Sequence, residues 1–273
     1  MQLELVPLLQ IQRQLHSIPR GMERFQEYLR LMLTDDRSDI RLPPLGIVNP
    51  MGKEHVTALL DAFLRLDAEG EAAHAMLQAA ANLAELGGAY KVGLVVADDL
   101  RGGWTNRYAS EFSFMLGGRA GLKRGWLTGI LWSSEPASAG VASRAILTAV
   151  YRAVYVQQRG SAHTLREILA QEGYAMAAAR CADPTLDADD MAYTREVMAP
   201  FLDAEDQPTL IACLFGDTAA RSLGYPPQGL SERAGLALAL RDAQSDPSWR
   251  VPAERTVAGW SADLSTSVGH EPD

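Results

Sequence analysis

The chain has 273 residues, 47% of them hydrophobic and 22% charged, a balance that excludes intrinsic disorder and supports a core without disulfides or structural metal. Its net charge is −9, with lysine only at Lys53, Lys91 and Lys123. No basic face is present to release counterions from nucleic acid or to sit on an anionic membrane.

Aromatic residues contribute 7%, and alanine and leucine dominate the apolar content, which favours helix over a β-sandwich or barrel. The N-terminal segment lacks a basic start followed by a continuous apolar core, so no secretory signal is expected. No run approaches the roughly eighteen apolar residues of a membrane span. A cytoplasmic setting follows as the expectation. Cys181 and Cys213 stand far apart in apolar surroundings and read as buried, reduced thiols.

In chain order, Leu5, Leu8, Leu9, Ile11 and Leu15 predict an amphipathic helix over 2–17. A second helix begins near Arg20, with Met22, Phe25, Leu29 and Met32 on one stripe, and ends at the polar run 34–39. Residues 45–48 suit a short strand or an extended loop. A turn at 49–52 leads into a helix reaching Leu66, and another runs from about Glu69 to Leu86 before Gly87-Gly88.

Three short, continuous apolar runs then read as strands buried on both faces: 91–97, 125–132 and 208–215. Helices are expected at 138–158, 161–179, 187–203 and 231–243. The pattern gives a helix-rich α/β fold with a small, at least partly parallel sheet of about three to four strands covered by helices. Residues 1–44 form an N-terminal helical layer, 45–245 the α/β body and 246–273 a polar tail, together one compact unit.

Each apolar run stops at an acid: Asp98-Asp99, Glu135 and Asp217. In open α/β sheets ligands bind outside the carboxyl ends of parallel strands. Carboxylates gathered there suit a hard divalent cation such as Mg2+, although an acid after a strand also serves as a helix cap. Asp217 before Thr218-Ala219-Ala220 has the form of such a cap.

The segment 98–111 is the richest in polar groups. Arg101 and Arg107 are candidates to clamp a carboxylate or phosphate, with Trp104 as a pocket wall and Asn106 as a polar contact. Arg107 and Glu111 are also spaced to pair along a helix. Lys53 opens a helix whose first amides attract anions, and the neighbouring His55 suits general acid–base work. Asp98, Asp99, His55 and Glu111 are therefore the candidate catalytic residues, and Lys53, Arg101, Trp104, Asn106 and Arg107 the candidate substrate ligands. Asp98, Asp99, Glu135 and Asp217 are the candidate metal ligands.

Weaker patterns are Glu71-x-x-His74 and His163 with Glu167. No HExxH, P-loop, GxGxxG or G-x-S-x-G motif occurs. The reading that follows is an enzyme of hydrolase or lyase type acting on a small anionic metabolite, assisted by a divalent cation. The alternative is a non-catalytic helical binding or assembly module. Nucleic acid and membrane are not expected partners, and the sequence leaves a homo-oligomer open.

Overall fold

The computed structural model describes residues 1–100 and 105–246. Its centre is a three-stranded, fully parallel sheet of β1 (Gln2–Leu5), β2 (Ala89–Ala97) and β3 (Trp126–Trp132), in that order across the sheet. Gln2 pairs with Ala89, and Lys91 with Trp126. The β1–β2 crossover carries helices α1 (Leu8–Leu15), α2 (Met22–Met32), α3 (Glu54–Arg65) and α4 (Ala68–Asn82), with a 3-10 turn at Pro43–Ile47. The β2–β3 crossover carries α5 (Arg107–Leu116) and α6 (Gly118–Arg124).

Both faces of the sheet are covered, which is why β2 and β3 read as unbroken apolar runs rather than as alternations. Val92, Leu94, Val96, Leu127 and Leu131 pack on one side with α3, α4 and the long helix α7 (Ala139–Arg159). Val95, Ala97, Trp126 and Trp132 pack on the other with α1, α2 and the 3-10 turn. Gly129 brings α7 close: a Cβ there would lie 3.1 Å from the backbone nitrogen of Ile146.

A second core is built from helices and contains no strand among the described residues. It joins α5 to α8 (Leu165–Ala178), α9 (Ala188–Met198), α10 (Gln207–Phe215), α11 (Asp217–Ser222) and α12 (Ala234–Ser245). Helix α8 serves both cores, sending Leu165, Ile168 and Met176 into the helical one and Tyr174 and Ala175 against the sheet side. No helix among the described residues is long and apolar enough to cross a membrane.

Three expectations need correction. Residues 208–215 form helix α10, not a strand: Asp206 caps it by accepting from the Thr209 amide, and Pro208 sits in its first turn. The third strand is β1, inside the stretch expected to be helical, and helix begins only after Pro7. Residues 45–48 are neither strand nor extended loop but lie largely in the 3-10 turn. The tail beyond Asp246 lies outside the described residues.

Candidate functional site

β1 is too short to cover β2 to its end. Its ladder closes where the Val6 amide donates to the Val92 carbonyl, 2.8 Å away. Beyond it the buried side chain of Gln12, on α1, takes the place of a strand. Its Nε2 donates to the Val96 carbonyl (2.8 Å) and its Oε1 accepts from the Val96 amide (2.9 Å). Helix α1 therefore runs beside β2 and delivers His16, at its C-terminus, toward the carboxyl edge of the sheet.

The residue leaving β2 at that edge is Asp98, only 3% exposed. Its Oδ1 accepts from His55 Nε2 at 2.8 Å and from the Ser133 hydroxyl at 3.1 Å, and its Oδ2 accepts from Asn49 Nδ2 at 3.0 Å. The turn before α3 presets Asn49, whose Oδ1 accepts from the Met51 amide (2.9 Å) so that the NH2 group faces Asp98. Burial alone would raise the Asp98 pKa, but the bonds from His55 and Asn49 outweigh it and hold the carboxyl below its usual range.

His55 sits in the first turn of α3 with its side chain 29% exposed. With Nε2–H given to Asp98, the lone pair of Nδ1 is free, and no described residue bonds to it. Close by, His16 is buried. Its Nδ1 lies 3.4 Å from the Thr57 hydroxyl and its Nε2 has no partner. Burial first, then the charges of Arg24 and Arg13, lower its pKa to about 4, so it is neutral near pH 7.

Asp99 faces the end of β3. It accepts from the Ser134 amide (2.9 Å) and the Ser134 hydroxyl (2.6 Å), and shares with Asp98 the single proton of the Ser133 hydroxyl (2.9 Å), which ties the two strand ends together. Arg107 lies over the Trp132 ring, 5.2 Å from its centroid. It binds Glu111 (2.8 Å) and Glu135 and stands 3.8 Å from Asp99. Burial would pull its pKa down, but Glu111 and Glu135 outweigh that and hold it above normal. Glu111 is shared with Arg233 at the start of α12 (2.7 Å), so α5 is pinned to the second core. Burial would raise the Glu111 pKa, but Arg233 and Arg107 outweigh it and keep it low.

Of the candidate residues, the sheet edge thus brings together His55, Asp98, Asp99, Arg107 and Glu135, with Glu111 behind them. Arg107 is not free to clamp a ligand, because carboxylates of this chain already surround it. Glu111 is likewise engaged by two guanidinium groups. Asn106 caps α5 through the Ala109 amide, and Lys53 is exposed just before α3. Asp217 does not join the edge, since the run before it is α10. Nor does it cap α11, which has Gly216 at its N-cap and no side-chain cap; its Oδ1 accepts from the amides of Gln228, Gly229 and Leu230 and so ties that loop to the start of the helix. Arg101 and Trp104 lie outside the described residues.

No group of three or more His, Cys, Asp or Glu among the described residues is placed to hold a metal. Glu167 spends its carboxylate on the amides of His163 and Thr164 in a capping box, and His74 bonds Gln78. His16 and Arg233 were not singled out from sequence. A histidine ending an amphipathic helix carries no motif, and Arg233 is 122 residues from its partner. No protein family, curated protein or solved structure matches this chain.

Proposed function

We propose that the protein is an enzyme acting on a small anionic metabolite by general acid–base chemistry, of hydrolase or lyase type. His55 is the proton-transfer group and Asp98 orients it. The observation that carries this reading is the 2.8 Å bond from a partly exposed imidazole to a carboxylate that is almost fully buried. Such a carboxylate selects the tautomer with Nδ1 unprotonated and stabilises the imidazolium formed when that nitrogen takes a proton.

Lys53 supplies positive charge two residues from His55, and Arg107 positions the strand ends instead of gripping substrate. A divalent cation, Mg2+ or another, enters this reading only by displacing Asn49 or Ser133 from Asp98. Two free thiols suit a cytoplasmic setting. A binding or assembly module would need a broad apolar face. The most exposed large apolar side chains among the described residues, Met22, Leu77 and Tyr193, belong instead to three different helices.

The test is a turnover screen of phosphomonoesters, carboxylic esters, amides and 2-hydroxy acids, with and without Mg2+. Any activity found is then measured in His55→Gln and Asp98→Asn. A fall on the order of 10²–10⁴ in His55→Gln is expected. Full activity in that variant, or a folded protein inert to the whole panel, overturns the proposal.

A further inference from the structure

A cavity of about 400 Å³ opens between the two cores. Its walls are the outer edge of β3, the N-terminal half of α7, and helices α5, α8 and α12. A cleft of this size between two packed units is where small-molecule sites are commonly found. Its charges are nearly all internally matched. Arg152 makes a bidentate pair with Glu172 (2.7 Å for both bonds), while Arg107 and Arg233 share Glu111.

Arg144 is the exception. Among the described residues no carboxylate lies within ion-pair distance of it, and no hydrogen bond to its guanidinium is formed. Of the two other acids of the lining, Glu135 is bound by Arg107 and Asp183 is exposed. The Arg144 side chain folds back along α7, so that a Cβ added at Gly140 would lie 2.6 Å from its Nη1. A permanent cation is thereby held against the first turn of its own helix, whose dipole repels it. Apolar side chains of Phe114, Ile130, Val141, Met176 and Leu236 line the same cavity.

We infer that this cleft binds an organic monocarboxylate, with its acid group forked by Arg144 and its apolar body against these side chains. One unmatched guanidinium suits one negative charge, and its planar fork matches a carboxylate. A phosphate dianion would need a second free cation that the cleft does not offer among the described residues. The inference does not rest on the acid–base reading of His55.

The test is the melting temperature of the full chain, titrated with octanoate and 3-phenylpropionate, and in parallel with their amides and inorganic phosphate. The two acids are expected to raise it in a saturable way, and the amides and phosphate to leave it unchanged. Arg144→Gln removes no internal partner, so it should fold normally by circular dichroism while weakening carboxylate binding at least tenfold. His55→Gln should bind the acids like the parent chain. Equal shifts in Arg144→Gln and the parent, equal shifts from acids and amides, a response to phosphate as strong as to the acids, or no shift from either acid overturns the inference. Loss of binding in His55→Gln as well would overturn the placement in the cleft.

Discussion

Gln12 offers the sharpest test of how the sheet edge is held. Its amide satisfies both polar groups of Val96, two residues before Asp98, where β1 no longer reaches. Gln12→Met keeps the length and volume of the side chain but removes both bonds, leaving a buried N–H and a buried C=O unpaired. Each such group costs about 1–3 kcal/mol. The added apolar surface offsets part of the sum, so a net loss of about 3 kcal/mol is expected. For a protein of this size that corresponds to a drop of roughly 6–12 °C in melting temperature. Urea denaturation gives the free energy directly, and hydrogen exchange at the Val96 amide reports the local opening. A loss below about 1 kcal/mol with unchanged exchange at Val96 would show that another group pairs this edge, and would refute the argument.

Two further outcomes follow from the buried charges. His16 has a folded pKa of about 4 against an ordinary 6.5, so the unfolded chain takes up its proton first as pH falls. This stability is fully present above pH 6.5 and is lost on the way down to pH 4, by on the order of 3 kcal/mol. Urea melts across that window should show the slope, and His16→Gln should flatten it; an unchanged slope would place the effect elsewhere. Glu111→Gln leaves Arg233 without a carboxylate and Arg107 with one fewer. Breaking a buried pair in this way costs about 3–5 kcal/mol, measurable in the same melts, and a loss under 1 kcal/mol would mean that solvent already screens the pair.

Sequence patterning carries the layered α/β class, β2, β3 and most of the helices, because burial on both sheet faces or on one helix stripe leaves a periodic mark. It fails where burial is complete and the run is short. Residues 210–215 are apolar throughout because this part of α10 is buried in the second core, and a helical stretch buried all round has no polar face to betray its period. The discriminating signals were local: Asp206 and Pro208 mark a helix start. β1 fails for the opposite reason, since four half-buried residues before a strong amphipathic helix are absorbed into its pattern. At the site, an acid ending a buried strand and a histidine opening a helix were enough to nominate Asp98 and His55. Their meeting depends on the β1–β2 crossover folding back over the sheet, a separation of 43 residues that no local spacing encodes. The same holds for Glu111, whose second arginine, Arg233, stands just before α12.

The placement of α8 between the two cores bears on how the molecule comes apart. Because one helix closes the apolar interior on both sides, opening either half strips a face from it and weakens the other half. The slowest-exchanging amides should therefore lie in α8 around Tyr174–Met176, rather than in the sheet, one of whose two outer strands is only four residues long. Local opening should begin at the margins farthest from that helix, while global unfolding in urea is expected as a single transition even though the interior is divided in two.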